Sequence, residues 1–162
     1  MKNTIKAIVF AIISSVSALQ AGEPALPEVA LEQPSLKVNA FATSLLNEDA
    51  DALYGGGVSI ETLSLHNVSL RASLVALEDE TLALGGSVLF TVPVSQTFSL
   101  YALGGVDYEF EQEFWSASSG AGATLALSQR LNLFVESAYS FAIDSDNEDK
   151  GWGVSAGVGI KF

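Results

Sequence analysis

The chain contains no cysteine, so it can build neither a disulfide framework nor a thiolate metal site. It has a single histidine, His66, too few for a histidine-based metal cluster. Basic residues are scarce: seven Lys and Arg stand against nineteen Asp and Glu, a net charge of −12. Nucleic-acid phosphates are held by clustered Lys and Arg, so this balance argues against a nucleic-acid partner. Beyond residue 20 no run reaches the roughly 18 consecutive apolar residues of a membrane helix. Yet 49% of the residues are hydrophobic and the mean hydropathy is +0.36. A chain that is apolar overall but has no long apolar run has spread its apolar residues out, as membrane β-strands do.

Residues 1–21 read as a secretory signal. Lys2 and Lys6 form a positive start, Ala7 to Val16 a short apolar core, and small residues follow, with cleavage expected after Ala18 or Ala21. As a membrane anchor the apolar run is too short, and no cysteine is present for lipidation. The signal takes two of the seven basic residues and none of the acids, so the remainder is more acidic still. Residues 22–35 hold Pro24, Pro27 and Pro34 with Glu23, Glu28 and Glu32. Proline removes a backbone donor, so this stretch is expected to be an extended periplasmic segment and not a strand.

From Leu36 onward the patterning has period two. It is clearest in the closing stretch, G-W-G-V-S-A-G-V-G-I-K-F from Gly151 to Phe162. Trp152, Val154, Ala156, Val158, Ile160 and Phe162 fall on one face; Gly151, Gly153, Ser155, Gly157, Gly159 and Lys161 fall on the other. The same alternation predicts strands over 36–45, 54–63, 67–77, 82–92, 98–110, 120–128 and 131–142. Phe41 lies on the polar face of the first. Eight strands of roughly the length that crosses a bilayer on a tilt predict an all-β, eight-stranded antiparallel up-and-down barrel spanning 36–162.

The connections alternate in character. Ser64–His66, Pro93–Thr97 and Gln129–Arg130 are short and free of acids. The stretches 46–53, 78–81, 111–119 and 143–150 together hold twelve of the nineteen acids. Outer-membrane barrels have short periplasmic turns and longer external loops, so the acidic end is expected outside and both termini in the periplasm. Aromatics agree. Tyr54, Tyr108, Phe110, Tyr139, Phe141 and Trp152 fall at the expected external ends and Phe90, Phe98 and Phe162 at the periplasmic ends, all lipid-facing.

The signal, the eight alternating strands, the L-S-Q-R-L-N-L-F-V-E hairpin at 127–136 and the terminal G-V-G-I-K-F resemble the small outer-membrane β-barrels of the OmpX and OmpA-transmembrane-domain type. The resemblance covers about residues 36–162 and implies a Gram-negative-type outer membrane. It implies contact with membrane lipid and lipopolysaccharide. It also implies that the barrel-assembly machinery reads Phe162.

The inward face would carry Lys37, Glu61, Arg71, Asp107, Glu109, Glu136 and Lys161. An eight-stranded lumen is just wide enough to be filled by side chains, and charges buried there must be paired. Glu61 with Arg71 is the ion pair expected first, and Lys37 and Lys161 share one end. The simplest reading is a structural network that largely plugs the lumen; the alternative is a narrow, porin-like passive channel. A lipid-modifying enzyme is a weaker alternative, because His66 falls in a periplasmic turn, away from the outer leaflet. No enzymatic activity, cofactor or resident metal is expected, and the protein is expected to be a monomer. The acidic run D-S-D-N-E-D at 144–149 lacks the spacing of a calcium loop. It reads as a solvated, charge-repelling surface, with weak divalent-cation binding as the sharper alternative. The inverse architecture, a soluble lipocalin-like barrel with apolar residues inside, conflicts with a second face built mostly of Gly and Ser.

Overall fold

The structure, a computed structural model, describes residues 36–47, 52–65, 67–111, 113–143 and 150–162. The signal and residues 22–35 lie outside this range, as do His66, the acids at 48–51 and the run at 144–149. The described chain forms eight strands: β1 (Leu36–Asn47), β2 (Leu53–Leu65), β3 (Val68–Leu77), β4 (Leu82–Pro93), β5 (Phe98–Glu109), β6 (Phe114–Ala126), β7 (Leu131–Ala142) and β8 (Lys150–Lys161). Each pairs antiparallel with the next, and β8 pairs back onto β1 to close the barrel. The last backbone bond of the seam runs from Phe162 N–H to the Leu36 carbonyl, 2.8 Å.

Alternation decides which way each side chain faces. Val38, Val58, Ile60, Leu70, Leu74, Leu84, Val88, Leu100, Val106, Val135 and Val154 all point outward and are exposed; Ile60 is 50% exposed. Asn39, Thr43, Ser59, Glu61, Ser69, Arg71 and Ser116 point inward and are buried, together with Leu89, Tyr101, Phe114 and Phe134. This is a water-soluble barrel turned inside out, so the lipocalin-like alternative is excluded. An apolar band of this kind is stable only against lipid.

Two terminal-end turns are built alike. In V-S-Q-T-F (94–98) the Ser95 hydroxyl accepts from the backbone N–H of Thr97 and Phe98, at 3.3 and 3.0 Å. In L-S-Q-R-L (127–131) Ser128 accepts from Arg130 and Leu131 at 3.3 and 3.0 Å. A serine that satisfies two orphan donors lets each hairpin reverse without glycine.

Most strand ends shift by one or two residues from the sequence expectation, β2 running through Ser64 and Leu65 of the expected turn, and one boundary shifts further. β6 begins at Phe114, not near residue 120, so most of the expected nine-residue loop at 111–119 is strand. Phe114 points inward and is buried, whereas Ser119 points outward and is exposed. Along F-W-S-A-S-S the hydrophobic alternation therefore cancels, although the backbone is a regular strand. At that end Glu111 accepts from the Leu82 N–H at 2.7 Å, tying the β5–β6 turn to the top of β4.

The β3–β4 turn carries a left-handed residue, Glu80, with φ of 76°. Its N–H donates to the Leu77 carbonyl at 3.2 Å, and Asp79 accepts from the Thr81 N–H at 3.1 Å. A side chain bearing a Cβ is disfavoured at this φ by about 1 kcal/mol relative to glycine. Glu80→Gly is therefore expected to stabilise the folded barrel by about 1 kcal/mol, measured by urea unfolding in lipid vesicles. A loss of stability would show that the Glu80 side chain makes a compensating contact.

Candidate functional site: the lumen network and the pit above it

The ion-pair network draws its charges from four strands, β1, β2, β3 and β7. Strand register puts Glu61 of β2 directly opposite Lys37 of β1 and Arg71 of β3. Lys37 Nζ lies 2.8 Å from Glu61 Oε2. Arg71 Nη2 reaches the same oxygen at 3.5 Å, and Ser69 donates to Glu61 Oε1 at 3.1 Å. The other guanidinium nitrogen crosses the lumen: Arg71 Nη1 lies 2.7 Å from Glu136 Oε2 on β7. Tyr101 on β5 donates its hydroxyl to that oxygen, also at 2.7 Å. The Arg71 guanidinium sits 5.7 Å from the ring centroids of both Tyr101 and Phe134, so aromatic faces attract the charge that the carboxylates pair. Two cations and two anions balance within this group. Arg71 Nε is buried without a partner.

Glycine makes the room. Phe41 on β1 lies between Gly57 on β2 and Gly157 on β8, its cross-strand partners in both directions. Gly157 in turn pairs with Phe134, and the Phe41 and Phe134 rings meet edge-on at 6.2 Å. A Cβ at Gly57 would strike the Phe41 ring, and one at Gly122 would strike Tyr101 at its hydroxyl. The bare inner face of β8 and the glycines of β2 and β6 are thus notches into which aromatic rings lie.

The lumen differs between its two halves. Toward the end where β1 begins and β8 ends, Asn39, Ser59, Ser69 and Leu89 are almost completely buried, and Asn39 donates to Ser59 at 3.0 Å. Toward the acidic end lies a cavity of about 200 Å³. Arg71, Glu136 and Phe41 line it at the network, and Leu45, Leu77 and Phe114 line it near the strand ends. Asp107 and Glu109 of β5 also line this pit. Asp107 enters none of the three ion pairs found among the described residues. The Asp107 carboxylate accepts from Ser118 at 3.2 Å, and its cross-strand neighbour is Gly85, where a Cβ would collide with it.

Of the residues expected inside, the structure brings Lys37, Glu61, Arg71 and Glu136 together, and places Asp107 and Glu109 in the pit. Lys161 lies opposite Lys37 at the rim, is exposed, and enters none of the three ion pairs found among the described residues. The expected Glu61–Arg71 pair forms, but it is the longest of the three. The short contacts, Lys37–Glu61 and Arg71–Glu136, were not singled out by the sequence, nor was the Tyr101 hydroxyl. Strand alternation says which residues face inward but not which of them meet across the axis. Phe162 is 74% exposed at the terminal end. Tyr54, Phe110, Phe141 and Trp152 are exposed at the acidic end, and Trp115, missed with the start of β6, joins them. Its ring lies tilted 5.1 Å from that of Tyr108, and Tyr139 lies 5.3 Å from Trp152. Among the described residues no three His, Cys, Asp or Glu side chains converge to hold a metal ion.

A closed eight-stranded antiparallel barrel with an apolar exterior, aromatic belts and a polar core is the fold of small outer-membrane β-barrel proteins. Solved structures of that class resemble this chain. The N-terminal β-barrel domain of Pseudomonas aeruginosa OprF superposes with a TM-score of 0.64 at 18% identity, covering 80% of this chain and all of that one. Neisserial surface protein A gives 0.66 at 10% identity, over 80% and 97% of the two chains. Ail of Yersinia pestis, in complex with the heparin analogue sucrose octasulfate, gives 0.55 at 12% identity, over 81% and 100%. No protein-family model and no curated protein sequence matches the chain.

Removing Arg71 leaves the part-buried Glu136 without its cation and the buried Glu61 with Lys37 as its one remaining cation. Arg71→Ala is therefore expected to destabilise the barrel by about 3–5 kcal/mol, read from urea unfolding in lipid vesicles. Tyr101→Phe, which removes one hydrogen bond to a charged group, is expected to cost about 1.5–3 kcal/mol. Equal stability of Arg71→Ala and wild type would mean that the guanidinium contributes nothing to holding the lumen together.

Proposed function

We propose that this chain is an integral outer-membrane protein whose barrel has a structural or surface-interaction role and does not conduct. The observation that carries this reading is the Arg71 guanidinium, which reaches across the lumen from β3 to Glu136 on β7 while also meeting Glu61 on β2. An eight-stranded lumen has little cross-section to spare. One arginine, two flanking rings and two carboxylates span it, and the half beneath them is filled by buried Asn39, Ser59, Ser69 and Leu89. The acidic turns face the cell exterior and the chain ends face the periplasm, in keeping with the short acid-free turns at the terminal end. The protein works as a monomer without cofactor and without enzymatic activity. Its lipid neighbours are outer-membrane phospholipid and lipopolysaccharide, with divalent cations as weak bridges between acidic loops and lipopolysaccharide phosphate.

The heparin analogue bound by the Yersinia protein is a polyanion. Exposed Glu78, Asp79, Glu80, Glu111 and Glu113 give the acidic end of this chain the opposite requirement, a cationic or cation-bridged partner. The runner-up is a narrow passive channel, favoured by the cavity that already hollows the acidic half of the lumen.

In planar bilayers the wild-type barrel is expected to give no reproducible single-channel steps at molar salt. Steps of constant size would establish the channel reading instead. A second expectation concerns assembly. The Phe162 side chain is exposed at the terminal end. Deleting it should lower the amount of heat-modifiable protein in the outer-membrane fraction while leaving the urea midpoint of the refolded barrel nearly unchanged. Normal outer-membrane levels of the truncated chain would remove Phe162 from any role in assembly.

A further inference from the structure

The pit in the acidic half of the lumen is walled largely by hydroxyls: seven of the residues lining it are serine or threonine. Some of these hydroxyls are engaged. Ser155 donates to Thr43 at 2.9 Å, and Ser118 donates to Asp107 at 3.2 Å. Those of Ser73, Ser87, Ser116 and Ser140 enter no hydrogen bond among the described residues. Ser116 is 6% exposed, and a hydroxyl withdrawn from bulk water without a partner is costly. Packing does not call for serine at these positions, since a β-branched side chain favours a strand more and would fill the space. Strand register joins part of this wall into one patch. Asp107 of β5 lies opposite Ser116 of β6, and Ser118 of β6 lies opposite Ser140 of β7. Phe114 is the next inward residue of β6 toward the acidic end.

We propose that this pit is a binding site for one neutral sugar ring, its hydroxyl edge held by Ser116, Ser140 and the Asp107 carboxylate, and a face of C–H bonds against Phe114. Three features select that chemistry. A hydroxyl both donates and accepts, so a wall of unengaged serines matches a ligand whose own edge is hydroxyl. Asp107 accepts from a hydroxyl donor and repels an anion. The cavity of about 200 Å³ lies below the roughly 300–1,000 Å³ of sites for drug-sized molecules, so it takes a single ring. A sugar returns to the wall the hydrogen bonds of the water it displaces, which an apolar molecule of the same size does not. Arg71 and Glu136 form the floor, and the pit opens along the barrel axis toward the acidic end. The ligand therefore comes from solvent on that side and not from lipid. The closed floor rests on the non-conducting reading, and the two fail separately: single-channel steps overturn closure without bearing on whether a sugar binds.

The test uses the full folded barrel in lipid nanodiscs, titrated with methyl β-D-glucopyranoside and followed by backbone amide chemical shifts. The expected result is a saturable shift confined to Asp107, Ser116, Ser118, Ser140 and their neighbours. Cyclohexanol, a ring of similar shape with a single hydroxyl, is expected to bind at least about tenfold more weakly, the ratio that loss of one hydrogen bond to a charged group produces. Its partition into lipid is measured on empty nanodiscs. Ser116→Ala, which removes one hydroxyl, is expected to weaken the glucoside about two- to tenfold. Ser140→Phe, which fills the pit from β7, must abolish the shifts; if it does not fold, the smaller change at Ser116 decides. Equal binding of cyclohexanol would reduce the pit to an apolar hole and overturn the proposal. So would unchanged glucoside binding in Ser116→Ala or in folded Ser140→Phe, or the absence of any saturable shift up to molar glucoside.

Discussion

Inside a bilayer a strand edge has no water to bond with, so every backbone N–H and C=O must find its partner within the protein. The β1–β8 seam meets that requirement. It runs in continuous register from Lys37 opposite Lys161 to Asn47 opposite Gly151, and the Phe162–Leu36 bond finishes it. Everything else follows from closure. Once the sheet is a cylinder, alternation sends half the side chains to lipid and half to a core only as wide as eight strands allow. The exterior then has a simple rule, and the outward Val, Leu and Ile obey it. The interior has the hard problem, because what faces inward must fill the space without leaving charge uncompensated.

The solution relies on size contrast. Large inward groups, Phe41, Tyr101, Phe134 and Arg71, come from β1, β5, β7 and β3, and the glycines that accommodate the rings lie on the strands beside them. Gly57 and Gly157 flank Phe41, Gly157 also serves Phe134, and Gly122 lies under Tyr101. Packing and electrostatics are therefore one arrangement. The ring of Tyr101 rests in its notch, and only from there does its hydroxyl reach Glu136 while its face meets Arg71. The Gly/Ser inner face of the closing strand belongs to the same arrangement, because it is the complement of the rings on either side of it.

How much of this could be read from the sequence depends on the range of the interaction. Period-two alternation is local, and it placed the closing strand, the inward charges and Phe41 on their observed faces. It failed where side-chain chemistry ran against the local rule. Phe114 faces the lumen and Ser119 faces lipid, so the first half of β6 had no hydrophobic pattern to find. Nearest-neighbour pairing is also nearly local, which is why Glu61 with Arg71 could be anticipated. Contacts across the axis are not local. Arg71 to Glu136 spans 65 positions in the chain, and it depends on strand tilt and stagger, which no single strand encodes. The aromatic belts were partly legible for the same reason: Trp152 and Tyr54 lie at strand ends whose limits were clear, whereas Trp115 was hidden in the misplaced loop.

The two halves of the lumen show what the narrow core permits. Beneath Arg71, the inward residues Asn39, Ser59, Ser69 and Leu89 are sized to fill the cylinder, and no empty volume is needed for the fold. Above it, β8 contributes Gly151, Gly153 and Ser155, β6 contributes Ser116 and Ser118, and the space they leave is not occupied by larger neighbours. Cavities lower stability in proportion to their volume, so a hollow half is not what packing alone would select. Asp107 in that hollow half adds to the cost, since an apolar residue there would fill space and remove a charge. A filled terminal half, together with a hollow, acid-lined half facing the other way, makes the barrel asymmetric along its axis. That asymmetry separates a part that holds the cylinder together from a part that stays hollow toward the acidic end.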